Sequence, residues 1–237
     1  MIKSPSRSRL GGFTLIELIV VVGIIVTLSA LAMPALNTVL KGSNLTQSAS
    51  TLTAQISGAR QQALSRNKPV EVRFYMYADP NLPGEVDTDE ETWKFHAIQV
   101  FEISETGVAF ALAKVQRFPV GVVLSRTALS APEFYEEGST RRLEPNRKTD
   151  PQIVPPKKGG SAKDGYTYKY VAFRFQPDGS TNLPPTRSWY VTLHAETDTA
   201  KIEDSKNPSG VKAPPNFFTL QVDPVSGTTR AYRPAAG

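Results

Sequence analysis

The 237-residue sequence contains no cysteine and only two histidines, His96 and His194, which are far apart. The lack of cysteine excludes disulfide bonds, thiolate nucleophiles and cysteine-ligated zinc or iron–sulfur sites. There is also no phosphate-binding glycine loop, no His-Glu-x-x-His motif and no Gly-x-Ser-x-Gly motif. We therefore expect a protein that is not an enzyme and that binds no cofactor.

The longest apolar stretch is near the N-terminus, where residues 18–40 contain no charged side chain. A helix of this length crosses ~30 Å of hydrocarbon at ~1.5 Å per residue. Lys3, Arg7 and Arg9 precede the stretch without any acidic residue, a pattern that keeps this end of the chain in the cytoplasm. Residues 13–40 are therefore predicted to form a transmembrane helix, with the rest of the chain on the outer side.

The same segment has two other interpretations, an ordinary secretory signal peptide and a generic membrane anchor. Ala30, Leu31 and Ala32 form a small-residue pattern of the kind that signal peptidase cleaves. Glu17 argues against the signal-peptide interpretation. An acidic side chain costs roughly 2.5–3.5 kcal/mol at mid-bilayer, less near the interface, and an ordinary signal peptide gains nothing from it.

The string Gly-Gly-Phe-Thr-Leu-Ile-Glu-Leu, which begins at Gly11, follows this basic leader directly. It resembles the processing motif of type IV prepilins and type II secretion pseudopilins. The resemblance implies that a prepilin peptidase removes residues 1–12 by cutting between Gly12 and Phe13, and that Phe13 is then N-methylated. It also implies that Glu17 guides assembly by pairing with the Phe13 amine of a neighbouring subunit, because an unpaired buried charge is strongly unfavourable.

The resemblance further implies a single-pass protein of the inner (cytoplasmic) membrane, with its head domain in the periplasm before incorporation into a pilus or pseudopilus. Its expected partners are the prepilin peptidase, the inner membrane and other pilins or pseudopilins. The long irregular insertions favour a minor subunit over the bulk one. The alternatives are a DNA-binding minor pilin of a DNA-uptake system, and a single-pass anchored or secreted domain.

Beyond the uncharged stretch, residues 41–68 are predicted to continue the same helix as an amphipathic segment. Its apolar residues recur at spacings of three and four, so they share one narrow face, with a coiled-coil partner as the alternative to a domain underneath. These residues are Leu45, Ala49, Leu52, Ile56, Ala59 and Ala63. The helix is expected to run from about Thr14 to about Arg66.

The remaining residues, 69–237, are predicted to form a β-rich head domain, because residues 70–77 alternate apolar and polar side chains. Residues about 133–165 are rich in proline, glycine and basic residues and are predicted to be a mobile loop. The fold class is α+β, with one long helix on an antiparallel meander, which matches the pilin-like fold. Further strands are predicted at 93–103, 108–118, 120–124, 166–175, 189–194, 217–222 and 228–232.

Residues 173–180, Phe-Arg-Phe-Gln-Pro-Asp-Gly-Ser, precede the predicted C-terminal hairpin. Together they are similar to minor pseudopilins of the GspH/FimT type and to the Verru_Chthon cassette protein D family, whose role is not established. Because Pro-Asp-Gly-Ser is also a favourable turn sequence, a plain turn is the alternative interpretation.

Some FimT-like minor pilins bind DNA through basic residues near the C-terminus. Arg230, Tyr232 and Arg233 are the corresponding candidates here, since cations contact phosphates and an aromatic ring can stack on a base. Two arginines are a weak signal, and the alternative is an ordinary solvated basic surface. Nucleic acid is therefore a minor candidate partner.

Asp87, Asp89 and Glu91 belong to an acidic cluster that could supply oxygen ligands to calcium, as loops in some pseudopilins do. The EF-hand spacing is absent, so a solvated acidic loop is the alternative and we expect no bound metal. His96 and His194 are predicted to be packed or surface histidines rather than catalytic bases.

Overall fold

The structure is a computed structural model. It describes residues 14–79, 82, 84–86, 89, 92–126, 142–146, 168–198, 214 and 216–234, without the side chains of 31–39 and 142–146. Within these residues, one long helix, α1, is followed by ten strands and a short 3-10 helix at Glu196–Asp198. The elements are α1 (Leu15–Arg66), β1 (Val70–Tyr77), β2 (Lys94–Ile103), β3 (Ala109–Ala111), β4 (Gln116–Arg117), β5 (Val122–Leu124), β6 (Arg142–Asn146), β7 (Tyr168–Phe175), β8 (Trp189–Ala195), β9 (Phe217–Val222) and β10 (Thr229–Tyr232). Contacts divide the chain into two compact units, residues 1–40 and residues 41–237.

Within the second unit, α1 packs through the face predicted from its periodicity. All six predicted side chains are buried and share one core with the sheet; they are Leu45, Ala49, Leu52, Ile56, Ala59 and Ala63. The apolar face of this segment is therefore covered by the chain's own sheet rather than by a coiled-coil partner. The helix ends where predicted, because Asn67 adopts a left-handed conformation (φ 53°) and Pro69 follows two residues later.

The sheet is antiparallel throughout its described pairs, with the strand order β10-β9-β8-β5-β2-β1-β7-β6. This order corrects the predicted meander. In a meander of the predicted strands, β7 would lie between β5 and β8. Instead, β7 pairs with β1, on the side of β1 opposite to β2. The α+β class and the antiparallel pairing are confirmed.

Strand β1 lies inside the sheet, between β2 and β7, and is buried on both faces. Val72 and Phe74 belong to the core that packs with α1, whereas Tyr75 and Tyr77 belong to a second apolar cluster on the other face. Tyr75 makes an edge-to-face contact with Tyr168 of β7 and donates a hydrogen bond to Gln99 of β2. The alternation in the sequence therefore predicted the strand but not its second buried face.

The strand predicted at 108–118 is interrupted and forms two short strands. Ala111 pairs with Phe101 and Gln116 pairs with Ile98, so the β3–β4 side carries two more residues than β2 between these pairs. The side chain of Gln99 compensates the lost ladder bond by donating to the Ala113 carbonyl (3.0 Å). The interruption is a bulge-type irregularity.

Strand β6 lies inside the stretch predicted to be a loop, and this corrects the prediction for residues 142–146. The strand pairs with β7, and its register shifts between Leu143 and Asn146. Pro145 lies at the shift, as expected for a residue that cannot donate to a ladder and is tolerated at edges and bulges. The other residues of the predicted loop lie outside the described part of the chain.

Over its described residues, the structure contains no helix that is long and apolar enough to cross a membrane. The predicted span, residues 13–40, includes residue 13 and the side chains of 31–39, which are not among those described.

Two turns meet α1 at the end of the helix that leads into β1. The first is the Pro-Asp-Gly-Ser turn after β7, and the second connects β9 to β10. Thr181 donates its main-chain N–H to the Pro224 carbonyl, and Arg60 donates to the Ser226 carbonyl. A side chain at Gly227 would lie 2.0 Å from the Gly179 carbonyl oxygen, so the two turns are in close contact at this glycine.

Candidate functional site

The first described turn of α1 is closed by a pair of reciprocal hydrogen bonds. The N–H and Oγ1 of Thr14 both donate to Glu17 Oε2 at 2.8 Å, and the Glu17 N–H donates back to Thr14 Oγ1 at 3.3 Å. This is a capping box, which satisfies N–H groups that a helix start would otherwise leave without partners. Glu17 therefore has a role inside its own chain besides the intersubunit role that the family resemblance implies.

The neighbours of Glu17 in the helix are exposed apolar residues, including Leu15 (76% exposed) and Ile16 (70%). Both hydrogen bonds to the carboxylate end on Oε2. Oε1 accepts no hydrogen bond from the described residues. Gly12 and Phe13, the predicted cleavage and methylation residues, lie outside the described part of the chain.

The three candidate nucleic-acid residues lie on or next to β10, but they do not form one surface. Successive side chains of a strand point to opposite faces. Arg230 and Tyr232 therefore share one face, where the Tyr232 hydroxyl donates to Gln221 Oε1 (2.8 Å). Arg233 lies on the other face, with its guanidinium 5.3 Å from the centre of the Phe218 ring.

The face that carries Arg230 also carries a carboxylate. Asp223 lines the same shallow depression of about 140 Å³ as Arg230, Gln221 and Thr228. Hydrogen bonds from the Ser226 and Val225 N–H groups lower the pKa of Asp223, and the charge of Arg230 lowers it further. The aspartate therefore stays ionised and offsets part of the positive charge that a phosphate would meet.

The candidate calcium residues are only partly visible. Asp87 and Glu91 lie outside the described residues, and Asp89 is exposed in a turn where its carbonyl accepts a hydrogen bond from the Thr92 hydroxyl (2.7 Å). Among the residues that the structure describes, no group of three His, Asp or Glu side chains is close enough together to hold a metal ion.

Two buried carboxylates were not singled out from the sequence. Glu71 of β1 accepts hydrogen bonds from Arg73 and Arg174, each at 2.6 Å. The Arg73 guanidinium also lies between two rings, 4.1 Å from the centre of Phe101 and 4.6 Å from that of Tyr170. Burial would lower the pKa of Arg73, but the charge and hydrogen bond of Glu71 raise it overall.

The second carboxylate, Glu85, attaches the loop after β1 to the sheet. Its Oε2 accepts a hydrogen bond from the Asp79 N–H (2.8 Å) and lies 2.9 Å from His96 Nε2. Lys94 Nζ lies 3.9 Å from Oε1. Glu85 and His96 are both buried, so His96 is a packed histidine, as predicted. A charged residue inside a polar loop gives no sequence signal that it will be buried.

His194 of β8 is also a packed histidine, with Nδ1 2.8 Å from the carbonyl oxygen of Ala195. Burial lowers the pKa of His194, and the hydrogen bond to Ala195 opposes this shift only in part. The imidazole is therefore held in its neutral form inside the fold.

No protein-family profile matches the chain, and no curated protein matches it. Among solved structures, the chain is similar to the minor pseudopilin EpsH from the Type 2 Secretion System of Vibrio cholerae (TM-score 0.39, 10% identity, 81% of this chain and 99% of that chain covered). It is also similar to the type IV minor pilin FimU of Pseudomonas aeruginosa in two crystal forms. One form has a TM-score of 0.39 and 10% identity, with 82% of this chain and 95% of that chain covered. The other has a TM-score of 0.37 and 12% identity, with 81% and 98% covered.

Proposed function

We propose that the chain is a prepilin-like structural subunit, a minor one, of a type IV pilus or a type II secretion pseudopilus. The observation that carries the proposal is the order of features along the chain. A basic leader and a Gly-Phe processing motif precede α1, whose residues 18–40 carry no charge, and the amphipathic half of the same helix then packs on an antiparallel sheet. This order separates a segment for membrane and filament core from a folded head.

In this proposal the apolar first half of α1 holds the subunit in the inner membrane, with the head in the periplasm. The exposed apolar side chains of residues 15–28 then contact lipid, and later the corresponding helices of neighbouring subunits. The prepilin peptidase cuts before Phe13 and the new amino group is methylated. Assembly transfers the apolar surface from lipid to a bundle of helices.

Glu17 has two partners in this proposal, one before assembly and one after it. The capping box with Thr14 reduces the cost of a carboxylate in an apolar segment, because Oε2 is already hydrogen-bonded. The free Oε1 then accepts the methylated Phe13 amine of a neighbour, which pairs a positive with a negative charge. The pairing sets the axial register between subunits.

The experiment is to express the full chain with and without its prepilin peptidase and to measure the mass of the product. We expect loss of residues 1–12 only with the peptidase. Gly12→Leu should leave the leader attached, and Gly11→Leu, two residues before the cut, is the matched control that should still be processed. Processing of the Gly12→Leu variant at the same bond would contradict the proposal.

Glu17→Gln separates processing from assembly. We expect it to be cleaved like the wild type but to enter filaments poorly, since the amide cannot supply the negative charge. Thr14→Val removes the capping partner but keeps the carboxylate, and we expect it to assemble better than Glu17→Gln. Unchanged incorporation of Glu17→Gln into filaments would exclude the assigned role of Glu17.

A further inference from the structure

Strand β10 forms one edge of the sheet. Among the described residues its only neighbour is β9, with Arg230 opposite Gln221 and Tyr232 opposite Thr219. An edge strand presents unpaired N–H and C=O groups and can accept a further strand.

The hydrogen bond at the start of the hairpin shows which main-chain groups of β10 point away from β9. Asp223 donates its N–H to the Thr228 carbonyl, so this pair is of the hydrogen-bonded kind. Hydrogen-bonded pairs alternate with non-hydrogen-bonded pairs along an antiparallel ladder. The main-chain N–H and C=O groups of Arg230 and Tyr232 therefore also point toward β9. The main-chain N–H and C=O of Ala231, between them, therefore point to the open edge.

A groove of about 440 Å³ runs beside this edge, between β10 and α1. Phe218, Ala231 and Arg233 line it on the sheet side. On the helix side it is lined only by small residues: Thr46, Ala49, Ser50, Thr53, Ala54 and Ser57. Because these helix residues are small, the groove can accept side chains of a segment that pairs with β10.

The charge of the groove favours a binding partner with acidic side chains. Arg233 is its one charged lining residue, and no carboxylate lines it within the described part of the chain. Arg230 lies on the opposite face of the strand, beside Asp223, and does not line the groove. A second copy pairing through its own β10 would bring the arginines of both copies to one edge, which is unfavourable. An extended segment with acidic side chains avoids this repulsion and pairs with Arg233.

We propose that β10 and the adjacent groove bind an extended acidic segment of another pilin-like subunit, which adds to the sheet as a further strand. This rests on the proposed function for the existence of such a neighbour. Main-chain bonds to Ala231 supply affinity, Arg233 selects acidic side chains, and the small residues of α1 leave room for the added strand.

The first test uses the full chain in detergent micelles and a short fluorescent peptide in which glutamate alternates with valine. We expect binding by fluorescence anisotropy, weakened by salt, and no binding of the same peptide with lysine in place of glutamate. Ala231→Pro removes the outward N–H without touching the ladder to β9, and it should weaken binding by about 10-fold or more. Arg230→Gln, on the opposite face, is the charge-matched control and should change binding by less than about 3-fold.

Arg233→Glu leaves the backbone unchanged, so it still tests the proposal if the Ala231→Pro variant misfolds. It should lose the acidic peptide and gain the lysine peptide. Equal binding of both peptides to the wild type, or full binding by Ala231→Pro and Arg233→Glu, would overturn the proposal. Formation of a dimer that Ala231→Pro abolishes would also overturn it, because the occupant would then be a second copy.

The second test asks whether a neighbour covers the edge in filaments. The chain has no cysteine, so Ala231→Cys introduces a single thiol. We expect a maleimide reagent to label this thiol in the membrane-held subunit but not in assembled filaments. Labelling at the same rate in both states would contradict the proposal. The N-terminal mass of the same preparations reports the proposed function separately, and the peptide assay does not depend on processing.

Discussion

Substitution of Gly227 by alanine tests the contact between the two turns that lie against α1. Gly227 has a positive φ of 65°, and an added Cβ would lie 2.0 Å from the Gly179 carbonyl oxygen. That atom belongs to the backbone and cannot rotate away like the end of a side chain. Gly107 is the matched control, since its φ is 81° and a Cβ there would meet nothing within 4 Å.

The two variants share one cost and differ in another. A left-handed conformation costs a non-glycine residue about 1–2 kcal/mol, and both variants incur it. Only Gly227→Ala also forces a steric shift, which by analogy with overpacked cores costs about 1–3 kcal/mol more. We therefore expect a loss of about 1–2 kcal/mol in the free energy of unfolding for Gly107→Ala and about 2–5 kcal/mol for Gly227→Ala.

Urea unfolding of the full chain in detergent micelles measures both values. Trp93 and Trp189 are both buried in the head, at 1% exposure, so their fluorescence reports the unfolding of this unit. Equal destabilisation by the two substitutions would refute the reasoning, because the contact between the turns would then contribute nothing.

Three further predictions concern the core, the helix start and pH. Ile56 is completely buried, so Ile56→Ala should cost about 2–5 kcal/mol in the same urea assay, whereas Gln61→Ala at an exposed position should change stability by less than about 0.5 kcal/mol. Thr14→Val should speed hydrogen exchange of the first amides of α1, since loss of a cap costs about 0.5–2 kcal/mol, and Thr14→Ser should preserve their protection. Burial lowers the folded-state pKa of His194, so the unfolded chain binds the proton more readily. The free energy of unfolding should therefore fall as pH drops below ~6.5. Urea titrations across this range should show a flatter pH dependence for His194→Gln than for the wild type.

The helix and its buried face were predictable because a single physical pattern determines both. The three- and four-residue spacing between Leu45 and Ala63 places these side chains on one stripe, and all six predicted positions are buried. Asn67 and Pro69 also give an unambiguous helix end. The predicted membrane span, which rests on the apolar stretch, and the processing residues, which rest on the resemblance to prepilins, stay predictions.

The strand order was not predictable, since periodicity identifies a strand but not its neighbours. The pairing of β7 with β1 depends on apolar contacts distant in sequence, such as Phe74 with Phe173. The strand at 142–146 was missed for a related reason. Composition made its proline-containing, basic stretch look like a loop, whereas pairing with β7 makes it an edge strand.

Two features of the candidate sites could have been recognised in the sequence. Thr14 and Glu17 follow the Thr-x-x-Glu pattern of a capping box immediately before an apolar stretch. Strand alternation in β10 already separates Arg230 and Tyr232 from Arg233. The burial of Glu71 between Arg73 and Arg174 could not have been recognised, because it depends on the β1–β7 register.

The most direct test of the proposed prepilin-like function is the N-terminal mass of the protein isolated from its native membrane. The proposal predicts a chain that begins at N-methylated Phe13. A chain that begins at Met33, after the Ala30–Ala32 pattern, would indicate ordinary secretion and remove the role assigned to Glu17. An intact Met1 in a host that processes its other prepilins would contradict the proposal directly.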